Sequence, residues 1–435
     1  MSAARDPATQ AVRNRQWRVA RLLQAGELVA PEHFVLAGEA VPEPGEGELL
    51  VRTLCLSAGP AQRGYIMAQD LKSGFLPALP VGSVMRGRGV GVIERSRHPQ
   101  FAAGEIFVGS LGWQEWSIQR PRSADFVFSA KRVEDPVWPL STELGIVGNA
   151  GVTAYFGLLD TGAMRAGERV LVSAAAGGVG SMVGQIAKLR GATQVVGIAG
   201  SEDKCRWLVE ELGYDAAVNY KAQDVDVRLG ELCPQGFDVF FDNVGGTILE
   251  QGLLHLAMHA RVVICGWISS DYKGPPPPGP SSYRQLLYRR ARMEGFVVFD
   301  YWRRYPEAER QLKQWYRAGR LCNSEQVLEG LECMPLALQS LFTGASRGIV
   351  NCRVAPDPPP PMHALLDRGG DPRGGDQQRR QARRDMGGLG LGPFGCERQG
   401  HQRSIRCSGS FRPQPSSPTR RSMIEVSVTP SARAP

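Results

Sequence analysis

The stretch RVLVSAAAGGVGSMVGQIAKLRG at 169–191 decides the fold. It opens as an apolar strand, passes through a run of small residues, and ends with Met182, Val183, Ile186 and Ala187 at helical spacing. Ala174, Gly177 and Gly180 stand three apart between strand and helix. A strand entering a helix through such residues brings the backbone close to a pyrophosphate, whose charge is met by free N–H groups at the helix N-terminus. Small residues that only let a helix pack on its sheet give a similar triplet, but the strand before and the helix after favour the dinucleotide-binding turn.

On the C-terminal side the alternation continues through QVVGIAG (194–200), EDKCRWLVEELG (202–213), DAAVNY (215–220), DVFFDNV (238–244) and RVVICGWIS (261–269). Short apolar, β-branched runs between amphipathic helices predict a parallel sheet covered on both faces, so the fold class is α/β with a doubly wound parallel sheet. NAD-binding sheets place an acid about 20 residues after the turn, at the end of the next strand. Here that strand runs into GIAGSEDK (197–204), a neutral tip followed by Lys204, which suits a 2′-phosphate and predicts NADPH. On the N-terminal side, from Trp17 to Pro139, GELLVRTLCLSAG (47–59), GRGVGVIE (87–94) and FVGSLGWQEWSIQ (107–119) are strand-like runs cut by Gly and Pro, predicting a mostly β domain.

With 435 residues, 42% of them apolar, the chain is too large and too rich in core residues to be a mini-protein or wholly disordered. No apolar run approaches the roughly 20 residues that cross a bilayer. Met1–Gln16 lacks the apolar centre of a secretory signal, so an unexported, cytoplasmic protein is expected. Nine cysteines without a CxxC pair argue against a disulfide framework or a structural zinc knuckle and predict reduced thiols. Of the net charge of +8, about +6 lies after Ala355, leaving the body near neutral. Residues 355–435, rich in Pro, Gly and Arg, are expected to be disordered, and without interleaved aromatics they do not read as a nucleic-acid arm.

NRQW (14–17), LGWQEW (111–116), TAYFGLLD (153–160), the glycine turn, DNVGG (242–246), PPPPGP (275–280) and RMEGFVVFDY (292–301) follow one another along the chain. By these motifs the chain from Asn14 to Val354 resembles the medium-chain dehydrogenase/reductase superfamily, within it the zinc-free branch of prostaglandin reductases and bacterial alkenal/enone reductases. The resemblance implies a flexible N-terminus at 1–13, a GroES-like catalytic domain at 14–139, a Rossmann domain at 140–310, a return to the first domain at 311–354, and the tail. It implies NADPH contacts from Gly177, Gly178, Val179 and Gly180 to the pyrophosphate and from Lys204 and Tyr220 to the 2′-phosphate. Along the ribose and nicotinamide it implies Asn243, Cys265, Gly266, Trp267, Ile268, Ser269, Ser270, Phe296, Val297, Val298 and Ser346. Asn243, Cys265–Ser270 and Phe296–Val298 are expected in strand-end loops on the sheet's carboxyl side, where such folds bind ligands, and FVVF and ICGWI also read as buried strand.

The implied reaction is zinc-independent hydride transfer from NADPH to the β-carbon of an α,β-unsaturated ketone or aldehyde. In the family a Tyr hydroxyl is thought to polarise the carbonyl. CGWISSDY (265–272) puts Asp271 where that Tyr falls and Tyr272 one residue later, so Tyr272 serves only if the loop slips by one. Other departures are GPAQRGY (59–65) for a DPYMR run, GNAG (148–151) for GMPG, and SRGI (346–349) for NxGK. Zinc-dependent relatives carry GHE where this chain has GSVM (82–85). His255 and His259, spaced to share a helix face, lack the Glu of HExxH. A homodimer is implied by analogy, with quinone reduction or a non-catalytic NADPH-binding scaffold as the competing functions.

Overall fold

A computed structural model describes residues 13–24, 26–67, 78–121, 130–268, 279–360 and 405–406. Arg13–Val19 (β1) and Phe34–Ala40 (β2) form an antiparallel pair. Leu49–Ala58 (β3), Arg88–Ser96 (β4), Ile106–Ser110 (β5), Trp116–Gln119 (β6) and Lys131–Arg132 (β7) build the N-terminal sheet, and Ala61–Gly64 (α1) follows β3. β3 is buried along nearly its whole length because Leu49, Val51, Leu56 and Ala58 pack in one apolar cluster and Leu54 and Cys55 in another; β4 takes one of its edges, while β6 pairs with Leu49–Arg52 on the other.

The parallel sheet follows helix Asn149–Phe156 (α2). Its strands are Arg169–Val172 (β8), Gln194–Ala199 (β9), Ala216–Asn219 (β10), Phe237–Asp242 (β11), Leu256–Ile264 (β12) and Arg292–Gly295 (β13). Between them run Gly178–Leu189 (α3), Glu202–Glu210 (α4), Val225–Leu232 (α5), Gly246–Leu254 (α6) and Arg284–Arg289 (α7). The strand order β10-β9-β8-β11-β12-β13 is the Rossmann arrangement expected from the alternation, with the switch point between β8 and β11. Period two places Val170, Val172, Val239 and Phe241 in one apolar layer with Met182, Val183 and Ile186 of α3. Leu171, Val196 and Phe240 point into the other layer, with Leu229 of α5 and Leu253 of α6.

After the parallel sheet come Tyr305–Arg317 (α8), Glu325–Glu329 (β14), Met334–Thr343 (α9) and Ile349–Arg353 (β15). The expected boundary at 310 falls inside α8, whose Tyr305, Ala308, Leu312 and Trp315 all pack in the first layer of the parallel sheet. β15 then pairs with Cys55–Ala58, completing the edge of β3 that β6 leaves open. Lys313 Nζ at 2.9 Å from Glu143 Oε1, and Lys131 with Glu309, tie α8 to the segment that ends the N-terminal domain.

Two further differences from the sequence reading concern single residues. His255 caps α6 and His259 lies in β12, so the two do not share a helix, and His255 Nε2 lies 2.7 Å from Asp226 Oδ1. Cys333 is disulfide-bonded, whereas Cys55, Cys205, Cys233, Cys265, Cys322 and Cys352 are free thiols. The expected disordered tail lies outside the described residues from 361 on, except for Ile405 and Arg406, which pair in parallel with Leu328 and Glu329 of β14. Among the described residues no helix is long and apolar enough to cross a membrane.

Candidate functional site

β8 ends at Val172, and the chain turns through Ala174 at φ 44° into α3, whose N-cap is Gly177. The Gly177 N–H donates to Ala174 O at 2.9 Å, closing the turn. No side chain caps α3, so the N–H groups of Gly178, Val179 and Gly180 are left for an anion at the positive end of the helix. Opposite the turn lies the segment before β15. Gly348 N donates to Ala176 O at 2.8 Å, and Gly348 bridges Gly177 in parallel register. Gly348 has φ 67°, and a Cβ there would sit 2.1 Å from Ser324 O, so only glycine fits.

At the end of β9, Ser201 N-caps α4, its Oγ accepting from Lys204 N at 3.3 Å. Lys204 Nζ reaches the carbonyl of Gly344 at 2.8 Å. Tyr220 follows β10 with its ring against Gly200, and Lys221 Nζ lies 5.9 Å from that ring's centre. Arg347 stacks over Trp207 of α4 at 4.8 Å. Burial, then the charges of Lys221 and Arg347, holds the Lys204 ammonium below the usual lysine range. The structure thus gathers Lys204 and Tyr220, both foreseen, with two cations that were not. Lys221 adjoins Tyr220 in sequence and was readable there. Arg347 lies in the SRGI run but enters the site only through the return of the chain from α9.

At the switch point the DNVGG run forms a knot. Buried Asp242 accepts from Ser173 Oγ at 2.6 Å and from Gly245 N at 2.9 Å, and burial raises its carboxyl above the ordinary range against those bonds. Asn243 is fixed by its N–H donating to Ser173 Oγ and its Nδ2 to Ser173 O, both at 2.8 Å. Cys265 N donates to Asp242 O at 2.8 Å and Ile268 N to Asn243 O at 3.4 Å, so this turn follows the knot. The Cys265 thiol is pushed up to about 12, by burial first and then by Asp242, and stays neutral. Trp267 is half exposed, and Ile268 packs against the N-terminal core.

Phe296, Val297 and Val298 lie beyond β13, where the chain leaves the sheet and begins a 3-10 turn at Val298. They and the Cys265–Ile268 turn are therefore strand-end loops, as expected, and not the buried strand that FVVF and ICGWI alone would give. Phe296 leaves because its ring seats against Gly157, where a Cβ would lie 2.5 Å from Phe296 Cζ. Ser346 is half-buried beside Arg347, and Asn149 is exposed at the start of α2. Ser269, Ser270 and Tyr272 lie outside the described residues. The groups that are described lie at the carboxyl ends of the parallel strands, on both sides of the switch point, where such sheets bind ligands. An uncapped helix end beside three cations fits a ligand carrying both a pyrophosphate and a further phosphate.

Residues 178–314 match the family described as zinc-binding dehydrogenase, and residues 15–127 match the N-terminal domain of oxidoreductase. The chain is 37% identical over 353 residues to the NADPH-dependent curcumin reductase of Escherichia coli, covering 80% of this chain and 99% of that protein. It is 38% identical over 309 residues to the NADP-dependent 2-alkenal reductase of Nicotiana tabacum, covering 71% and 87%. Among solved structures, CurA of Vibrio vulnificus in complex with NADPH superposes with a TM-score of 0.71 at 35% identity, covering 79% of this chain and all of that one.

The residues present do not fit the zinc that the first of these family descriptions implies. Met85 is fully buried in the N-terminal core, and Val84 forms a backbone bridge with Arg18. Neither side chain is a zinc ligand. Among the described residues no group of three or more His, Cys, Asp or Glu could hold a metal ion.

Proposed function

The chain belongs to the medium-chain dehydrogenase/reductase family, in its alkenal and enone reductase branch, and from that premise we propose that it reduces the carbon–carbon double bond of α,β-unsaturated ketones and aldehydes with NADPH. The observation that carries this reading is the uncapped turn at Gly177–Gly180 set beside Lys204 and Tyr220, a pairing built for a phosphorylated dinucleotide. When bound, NADPH supplies the hydride that reaches the substrate's β-carbon.

In this reading the N–H groups of Gly178, Val179 and Gly180 hold the pyrophosphate, while Lys204 Nζ and the Tyr220 hydroxyl take the 2′-phosphate. Asn243, its amide fixed by Ser173, presents its side chain to the ribose, and Cys265, Gly266, Trp267 and Ile268 continue along the cofactor into Ser269 and Ser270. Phe296, Val297 and Val298 cover the nicotinamide, and Ser346 closes over the cofactor from the return segment. Tyr272 donates a hydrogen bond to the substrate carbonyl as enolate charge develops, the step at which a positioned donor is worth most. A neutral Cys265 suits this arrangement, since a thiolate beside the nicotinamide would oppose that charge.

The enzyme is also proposed to act as a cytoplasmic homodimer. All four residues of β13 are exposed at the edge of the parallel sheet, and Tyr283, Leu287, Tyr288 and Met293 leave apolar surface beside that edge. A second copy pairing edge to edge would cover both. The test of function is loss of NADPH absorbance with 2-alkenals, aryl enones and quinones, each with NADPH and NADH. Enone turnover with NADPH preferred is the expected result. Faster turnover of quinones would favour quinone reduction, and tight NADPH binding without turnover would favour a scaffold.

A further inference from the structure

Three cations, Lys204, Lys221 and Arg347, converge on one corner of the site, and no acid contributes to the shift of Lys204 there. Like charges held together repel unless an anion covers them. Two of the three belong to the Rossmann half, whereas Arg347 comes from the segment between α9 and β15. That segment is fastened at three points: Gly344 O accepts from Lys204, Arg347 lies over Trp207, and Gly348 N donates to Ala176 O. The last bond puts it against the glycine turn. The same short loop therefore touches the expected seats of both the pyrophosphate and the 2′-phosphate.

Resting on the NADPH reading above, we propose that Arg347 is a third cation of the 2′-phosphate seat, delivered from the return segment, so that the 2′-phosphate ties the two halves of the protein together at the glycine turn. The guanidinium is preorganised for this by its stack on Trp207, which fixes the plane of its donors without neutralising them. NADH lacks the 2′-phosphate and gains nothing from Arg347, so the residue sets cofactor preference rather than general affinity. The ligand chemistry is a phosphate monoester on a ribose, and adenosine 2′,5′-bisphosphate suffices as a probe.

The experiment is calorimetric titration of the full chain and of Arg347→Gln and Arg347→Lys with NADPH, NADH and adenosine 2′,5′-bisphosphate, at two salt concentrations. Arg347→Gln is expected to weaken NADPH and the bisphosphate about tenfold, the scale of one lost charge-assisted hydrogen bond, and to leave NADH unchanged. Arg347→Lys should restore part of the loss, and the salt dependence of NADPH binding should flatten in Arg347→Gln. Amide exchange at Gly348 should slow on NADPH binding in the wild type and less so in Arg347→Gln. Equal weakening of NADPH and NADH would make Arg347 a packing residue and overturn the inference, as would an unchanged NADPH affinity. Failure of the wild-type chain to bind NADPH would instead overturn the cofactor reading itself, and the inference with it.

Discussion

Gly180→Ala is the most direct trial of the glycine turn. A Cβ at Gly180 would lie 2.4 Å from Ala174 O, 2.7 Å from Ala175 Cα and 2.9 Å from Ala175 O. All three are backbone atoms, so no flexible side chain can swing aside, and the turn must give by about 1 Å to reach an ordinary contact distance. In an open helical position the same change stabilises by up to ~1 kcal/mol through helix propensity. Overpacking costs ~1–3 kcal/mol, and with backbone as the obstruction the upper half applies, giving a net loss of about 1–2 kcal/mol. Binding should suffer more than folding, because Ala176 O, which holds Gly348, and the first N–H groups of α3 move together. Loss of one charge-assisted bond corresponds to tenfold or more in affinity, at about 1.4 kcal/mol per tenfold. Urea unfolding reads the first quantity and calorimetry with NADPH the second. Gly230→Ala in α5 is the control, since its Cβ would meet nothing nearer than the His255 ring, at 3.4 Å from Cε1, and it should be neutral or stabilising. A Gly180→Ala protein that unfolds at the wild-type urea concentration and binds NADPH as tightly would refute the steric argument.

Asp242→Asn should cost about 1–3 kcal/mol in urea unfolding, because it confronts the Gly245 and Val244 N–H groups with an amide in place of a carboxylate. Burial pushes the Asp238 carboxyl up, but the Arg169 guanidinium, bonded to it at 2.8 and 3.0 Å, outweighs this and holds it below its ordinary value. A depressed acid adds stability above its unfolded pKa, about 4, and loses it as pH falls through the lower folded value. Asp238→Asn should therefore lower the urea midpoint at pH 7 and shrink the difference from wild type below pH 4. Tyr272→Phe should reduce kcat by about 10²–10³-fold with NADPH affinity unchanged, and an unaffected kcat would remove Tyr272 from the mechanism. Leu287→Glu with Met293→Glu should yield a monomer by light scattering, whereas a monomeric wild type would end the edge-pairing proposal.

The β8–α3 turn and the Rossmann alternation were legible because they are local: period two, period 3.6 and small residues at a junction all lie within 23 residues of sequence. Lys204 and Tyr220 were legible because their strand ends follow from that alternation. Arg347 was not, because its place depends on a chain return fixed by pairing of β15 with β3. LHLAMHA at 254–260 offers helix formers, yet β11 pairs with Leu256 and again with Arg261–Ile264, and the sheet overrides local propensity. Phe296 reads as strand by composition, but its ring finds Gly157 and takes the backbone out of β13. The boundary read near 310 falls within α8, an amphipathic helix whose sequence alone does not say which core its buried face joins.

The pairing of Cys55–Ala58 with Ile349–Arg353 also bears on synthesis. A chain emerging from the ribosome at ~5–20 residues per second makes β3 early and its partner about 290 residues later, an interval of about 15–60 s. Through that time half of one edge of a nearly wholly buried strand stands open to water and to other nascent chains. The Rossmann half can meanwhile form its own sheet, but the loop that carries Arg347 and Gly348 has not yet been made. Cofactor held by the glycine turn would leave that early edge uncovered, so folding yield should depend on chaperones that shield β3 rather than on nicotinamide supply.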